Sequence, residues 1–278
     1  MCIYSMSLLQ VDPVELDIVS IPCEPAAPVE PVAPVEPVAP VEPVVPVEPV
    51  APVEPVVPVD QKVTIILTST VIVSPYKIFI HQRDKKERLN VYLKSIRQWL
   101  EKTNFHIILA ENSNYPFDEL FEERIKYKDR FEILSFDEKI LNNEGLLTCN
   151  SKGVSEIYAI NYAYDNSKLK TNSVFFIKIT GRYFIPDLEK YLSQFDLTKY
   201  NCFTQTSRTR CEMVGSDINN FKTVFDEKIF ATHNTIYDPH IENVYKYRTS
   251  LINNHIPPKL FQIEPTQGGG CNCIFKTI

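Results

Sequence analysis

The chain has 278 residues, seven glycines, 21 prolines and a formal charge of −6, but the charge is unevenly spread. Residues 1–60 hold 14 of the prolines and ten acidic side chains with no Lys or Arg, which leaves 29 basic against 25 acidic side chains in residues 61–278. That small surplus excludes a duplex-binding face, which would be strongly basic, and suits a local anionic ligand such as a diphosphate. Seven scattered cysteines exclude a disulfide framework and predict a reducing, cytoplasmic setting.

Asp12, Glu15 and Asp17 interrupt the first apolar stretch, so no secretory leader is expected. No apolar run approaches the roughly 18 residues of a membrane span. From Pro28 to Asp60 the chain is eleven Pro-Val-x triplets whose third position is Glu, Ala, Val or Asp. Proline at every third residue removes amide donors and forbids helix or central strand, and the three-residue period is that of polyproline II. At about 3.1 Å per residue the segment spans roughly 100 Å. Residues 1–60 therefore read as a disordered arm. It is either a spacer or docking ligand for a proline-binding partner, or a repeat expanded by replication slippage and tolerated because it is soluble.

Residues 61–278 read as one domain, large enough to bury about 70% of its unfolded surface. Lys62–Ser74 is β-branched and apolar almost throughout, which predicts a strand buried on both faces. His81–Lys102 carries Leu89, Leu93, Ile96, Trp99 and Leu100 at helical spacing. Phe105–Ala110 predicts a second strand, Asp118–Lys128 an exposed helix and Phe131–Phe136 a third strand. A polar loop leads to a helix over Val154–Tyr164, then a strand at Ser173–Ile179 and a helix at Asp187–Phe195. The pattern weakens beyond Tyr200, with strands expected at Cys202–Thr206 and Leu260–Glu264 and a helix at Ile236–Asn253. Strand and helix in alternation predict an α/β domain with a mostly parallel sheet and helices on both faces. Ligands of such sheets bind beyond the carboxyl ends of the strands.

Two segments stand at those ends. The first is Ile107-Ile108-Leu109-Ala110-Glu111-Asn112-Ser113. The second begins at Asn150-Ser151-Lys152-Gly153, continues through a helix with Glu156, Ala159, Asn161 and Ala163, and ends in Ile177-Lys178-Ile179-Thr180-Gly181-Arg182-Tyr183-Phe184-Ile185-Pro186. This order resembles the nucleotide-binding half of GT-A-fold glycosyltransferases over about residues 62–195, with residues 196–278 as the acceptor part. Family members carry a metal-binding Asp-x-Asp where Thr180-Gly181-Arg182 stands here. The combination looks most like a little-characterised set of glycosyltransferases in bacteria and large DNA viruses, and the triplet arm is similar to segments of chlorovirus proteins.

The resemblance implies transfer of a hexosyl or pentosyl group from a nucleotide diphosphate sugar to a glycan or protein-linked acceptor, a viral capsid glycan among the candidates. It implies donor binding by Glu111, Asn112, Lys152, Gly153, Lys178, Thr180, Gly181 and Arg182. With arginine in place of aspartates, no divalent metal and no other cofactor is expected, because fixed cations can neutralise a leaving diphosphate. In an extended strand Lys178 and Arg182 share a face, so both are expected to converge on that diphosphate. Their alternative is pairing with helix carboxylates such as Glu156 or Glu189. Glu111 could equally be a loop cap, and Glu156 a first-turn residue favoured by the helix dipole. Arg83 lies in a charge run that is usually solvated.

For the base that deprotonates an acceptor, Glu212 and Asp217 are the candidates. Asp238, His240 and Glu242 form a weaker cluster, and Cys271 with Cys273 reads as a pair of reduced thiols. Two other functions remain open: a non-catalytic, glycan-binding or virion-associated protein with a degenerate transferase domain, and a nucleotidyltransferase. The latter ordinarily has a glycine-rich loop after its first strand, and Thr68–Ser74 has none.

Overall fold

The structure, a computed structural model, describes residues 62–78, 80–138, 151–171, 173–207, 210–227 and 241–278. The triplet arm lies outside the described residues. Seven strands form the central sheet: β1 (Lys62–Ser69), β2 (His106–Glu111), β3 (Phe131–Ser135), β4 (Ser173–Thr180), β5 (Cys202–Thr204), β6 (Met213–Asp217) and β7 (His255–Ile256). Their order is β3-β2-β1-β4-β6-β5-β7. All run parallel except β6, which is antiparallel to both β4 and β5. The chain steps from β1 out to β2 and β3, then returns to place β4 on β1's other side. That reversal opens a crevice at the carboxyl ends of β1 and β4.

Both faces of the sheet are covered, as the continuous apolar strands require. Alternating side chains point to opposite faces, so Ile65, Leu67, Ile107, Leu109, Ile177 and Ile179 join one core with Ile96, Trp99 and Leu100 of helix α1 (Lys85–Lys102). Ile66, Ile108 and Phe176 join the other core with Ile157, Ile160 and Ala163 of helix α3 (Lys152–Asn166). The α1 start is set by Asp84, whose carboxylate accepts from the Glu87 amide at 2.8 Å. Trp99 is fully buried, and its indole N–H donates to the Tyr183 carbonyl at 2.9 Å, tying α1 to the turn after β4.

The expected first strand to Ser74 stops at Ser69 instead. Beyond it the Val71 amide donates to the Glu111 carboxylate and to Ser113 Oγ, so side-chain oxygens replace the sheet ladder. The expected exposed helix is a 3-10 turn (Asp118–Leu120) and a six-residue helix α2 (Phe121–Lys126) in which no residue is buried. Helix α4 is only Leu188–Leu192, α5 is Phe221–Val224 and α6 is Ile241–Ser250. Strand β6 and helix α5 have no counterpart among the expected elements. Strands β8 (Gln262–Gln267) and β9 (Ile274–Thr277) pair antiparallel as a separate ribbon. The ribbon joins the core through mutual backbone bonds between Phe261 and Ile278. Among the described residues no helix is long and apolar enough to cross a membrane.

Candidate functional site

The carboxyl ends of β1, β2 and β4 open into a cleft of about 1390 Å³. Its floor is the crevice between Thr68 and Thr180. Gly181 closes this floor: its amide donates to the Thr68 carbonyl at 2.8 Å. A Cβ at this position would stand 2.8 Å from that oxygen. Gly181→Ala therefore forces β1 and β4 apart where they form the site. An overpacking loss of about 1–3 kcal/mol is expected in urea unfolding, and a variant of wild-type stability would show that the strand ends yield freely.

Three arginines border the cleft. Arg88, on the first turn of α1, is 5% exposed. Its guanidinium donates to the Thr70 carbonyl (2.6 Å), the Gln82 carbonyl (3.0 Å) and the Tyr92 hydroxyl (2.9 Å). Arg182 is 7% exposed. One terminal nitrogen makes two long contacts of 3.4 Å, to Gln82 Oε1 and the Gln267 carbonyl, while its Nε is buried without a partner. Neither guanidinium forms an ion pair with a carboxylate among the described residues. Burial lowers the Arg88 pKa, Tyr92 opposes that, and the nearby charge of Arg182 lowers it further. Arg210 differs, because it pairs with Glu212 at 3.1 Å and packs over the Phe275 ring at 3.8 Å.

The carboxylates on the other side of the cleft are tied to cations and hydroxyls. Glu138 meets Lys77 at 3.3 Å and accepts from Ser155 Oγ and Asn112 Nδ2, each at 2.7 Å. Glu156, from the second turn of α3, meets Lys178 at 2.7 Å. Among the described residues no group of three His, Cys, Asp or Glu side chains stands at metal-holding distance.

No family model matches the chain, and no curated protein matches it. Among solved structures, the apo form of the glycosyltransferase GlyE of Streptococcus pneumoniae TIGR4 is similar over 71% of this chain and 46% of its own, at 9% identity and a TM-score of 0.45. The chain thus spans less than half of that protein's length. A glycosyltransferase involved in glycosylation of the major capsid of PBCV-1 is similar over 70% of this chain and 81% of its own, at 9% identity and a TM-score of 0.36. A cytidylyltransferase from Leptospira borgpetersenii serovar Hardjo-bovis covers 72% of this chain and 76% of its own, at 14% identity and a TM-score of 0.37.

Of the residues singled out by sequence, Asn112, Lys152, Gly153, Thr180, Arg182 and Glu212 line the cleft. Lys152 is exposed at its rim. Gly153 is buried against Ile241, and a Cβ added to it would stand 2.5 Å from the isoleucine Cβ, so it serves the close approach of α3 and α6. Glu212 stands beside the end of β4, where its carbonyl accepts from the Thr180 amide at 2.8 Å, and its carboxylate is held by Arg210 and by Gln205 Nε2 at 3.0 Å.

Three expectations are corrected. Lys178 and Arg182 do not converge. Lys178 lies on the α3 face with no exposed side-chain surface, bonded to Glu156 and to the Cys211 carbonyl at 2.7 Å. Arg182 follows the turn at Gly181 and lies on the α1 face, its guanidinium 5.9 Å from the Tyr92 ring centroid. Asp217 is carried to the opposite edge of the sheet, because antiparallel β6 runs from Met213 beside Ile179 to Asp217 beside Phe175. There it accepts from the Asn220 amide at 3.1 Å and from the side chains of Asn201, Asn219 and Asn220. Cys271 and Cys273 are paired as a disulfide in the ribbon's loop rather than standing as separate thiols.

Glu111 is fully buried and does not line the cleft. It accepts from Ser69 Oγ at 2.6 Å, the Ser113 amide at 2.9 Å, the Val71 amide at 3.3 Å and Ser113 Oγ. This is the loop cap named as its alternative. Burial raises its pKa, outweighing the hydrogen bonds from Ser113, Ser69 and Val71. A carboxyl raised in this way contributes stability below its unfolded pKa, near 4.5, and loses it as pH rises through the folded value. The stability of the wild type relative to Glu111→Gln should therefore fall as pH is raised above about 4.5. Urea midpoints that keep a constant difference over that range would contradict the assignment.

Arg83 is exposed and donates to the Lys77 carbonyl. Asp238 and His240 lie outside the described residues, while Glu242 lines the cleft. Sequence reading missed Arg88, Tyr92, Lys77 and Glu138. Arg88 did leave a trace: Arg88, Tyr92, Ser95, Ile96 and Trp99 form the buried stripe of α1. A guanidinium at the head of such a stripe needs an anionic or carbonyl partner.

Proposed function

We propose that the domain is a glycosyltransferase that takes its sugar from a nucleotide diphosphate sugar and holds the diphosphate with fixed cations. One observation carries this reading: Arg88 and Arg182 are buried at the cleft, close enough for the charge of Arg182 to lower the Arg88 pKa, and neither forms an ion pair with a carboxylate among the described residues. Two unpaired guanidiniums held together are costly without an anion between them. A diphosphate supplies paired oxygens for planar forks of this kind. The end of β4 offers the Thr180 hydroxyl, no side chain at Gly181 and the Arg182 guanidinium. A guanidinium has no lone pair to give a cation, so this strand end does not fit a divalent ion.

In the reaction, the acceptor hydroxyl oxygen attacks the anomeric carbon while the bond from that carbon to the diphosphate breaks. The electron pair leaves with the diphosphate toward Arg88 and Arg182, and a carboxylate takes the acceptor proton. Glu212 is the carboxylate placed beside the end of β4 for an inverting transfer. A glycan or protein-linked sugar is the acceptor class, and the arm's resemblance extends this to a viral capsid glycan.

The test presents the full chain with nucleotide diphosphate sugars, with and without chelator. Donor binding, and donor hydrolysis or transfer, are expected to survive chelation. Glu212→Gln is expected to lower kcat by about 10²–10⁴-fold with donor Kd unchanged, and Asp217→Asn to leave both unchanged. Absence of donor binding by the wild type would overturn the proposal. Binding without turnover by any donor and acceptor would favour the non-catalytic reading, which the pairing of Glu138, Glu156 and Glu212 to cations supports.

A further inference from the structure

We propose that Glu156 is the carboxylate that reads a hydroxyl of the donor, an assignment that rests on the nucleotide-sugar reading of the cleft. Its two oxygens differ. Oε1 accepts from Thr68 Oγ1 at 2.9 Å and Thr180 Oγ1 at 3.4 Å, and it meets Lys178 Nζ at 2.7 Å. Oε2 has no donor among the described residues. The side chain is 17% exposed and lines the cleft.

The three donors come from β1 and β4, the two strands that form the crevice, so the carboxylate is fixed over the point where a ligand must lie. Lys178 is wholly buried beneath it and also donates to the Cys211 carbonyl. Burial would lower the Lys178 pKa, and the Glu156 charge and hydrogen bond, with nearby Cys211 and Glu212, together raise it. The result is a preorganised carboxylate with one saturated oxygen and one free oxygen. An ionised carboxylate only accepts hydrogen bonds and repels phosphate. Its complement in a nucleotide sugar is therefore the uncharged polyol, either the ribose or the transferred sugar. Lys178 and the two threonines position the carboxylate by holding Oε1, which leaves Oε2 toward the ligand.

Isothermal titration of the full chain with inorganic pyrophosphate, UDP, UDP-glucose, GDP and GDP-mannose tests this. Pyrophosphate has no hydroxyl donor, the nucleoside diphosphates add ribose and the nucleotide sugars add a hexose. Glu156→Gln keeps an acceptor for Thr68 but replaces one carboxylate oxygen by an amide. It should leave pyrophosphate affinity unchanged or improved and weaken the preferred nucleotide sugar about tenfold or more, as for a hydrogen bond to a charged group. A loss shared by the nucleoside diphosphate puts the contact on ribose, and a loss confined to the nucleotide sugar puts it on the transferred sugar; either supports the assignment. Should the single variant unfold, Glu156→Gln with Lys178→Met removes the stranded buried charge and is measured in the same way. Equal affinities in variant and wild type, or a loss as large for pyrophosphate as for the nucleotide sugar, would overturn the role of Glu156 while leaving the transferase reading intact. A wild type that binds none of these ligands would remove both.

Discussion

Arg182→Met is expected to weaken donor binding roughly ten- to hundredfold while leaving the unliganded fold as stable as before, or more so. The side chain is buried, its Nε has no partner, its hydrogen bonds are two long ones of 3.4 Å to neutral oxygens, and its guanidinium lies 5.9 Å from the Tyr92 ring centroid. It also stands near a second buried guanidinium, that of Arg88. A buried charge held this poorly is often replaced by an apolar side chain of similar volume without loss, or with a gain, of stability. The cleft would lose a charge-assisted contact worth about 1.5–3 kcal/mol, roughly ten- to hundredfold in affinity. Chemical unfolding of the ligand-free protein and titration with a nucleotide diphosphate sugar measure the two effects separately. A large loss of stability with unchanged affinity would make Arg182 a structural residue. Such a result would also remove the observation on which the fixed-cation site rests.

The Lys178–Glu156 pair should show the opposite balance. Glu156→Ala leaves a lysine with no exposed side-chain surface and no counter-charge, which typically destabilises a protein by about 3–5 kcal/mol. Adding Lys178→Met should restore most of that loss, since the methionine fits the apolar face formed with Phe176 and Tyr245 and carries no charge to desolvate. Urea unfolding of the two single variants and the double variant closes the cycle. Additive effects would mean that the two residues do not stabilise one another, despite their 2.7 Å separation. In the wild type this pair holds a carboxylate at the crevice, whereas Arg88 and Arg182 hold two unpaired cations there. On the proposed reading the α1 face of the cleft would take the anion and the α3 face a hydroxyl.

Much of the scaffold was legible because it is written in local pattern. The apolar runs of β1, β2 and β4 announce strands covered on both faces, and the 3.6-residue spacing in α1 and α3 announces the helices that cover them. Gly181 was expected to bind the donor, whereas it is the backbone contact to Thr68 that requires a glycine there. Less was legible beyond Tyr200. Strand β6 is five residues long, contains Gly215 and follows a polar segment, so neither length nor alternation marks it. Missing its direction put Asp217 in the site, whereas an antiparallel strand carries Glu212 to the cleft and Asp217 to the far edge.

The pairing of Lys178 and Arg182 failed for a related reason. Alternation along a strand holds only while the strand lasts, and the chain leaves it at Thr180. By itself, then, the sequence determined an α/β domain with a mostly parallel, buried sheet, a strand ending in Thr180-Gly181-Arg182, and a proline-repeat segment chemically unlike the rest. Those features depend on residue type and near-neighbour spacing. Only the tertiary structure decided which charges are paired. Arg88 and Arg182 are 94 residues apart, and Lys178 meets Glu156 across a helix–sheet interface. Whether a buried charge is structural or open to a ligand depends on what stands within a few ångströms of it, and that is set by the packing of distant segments.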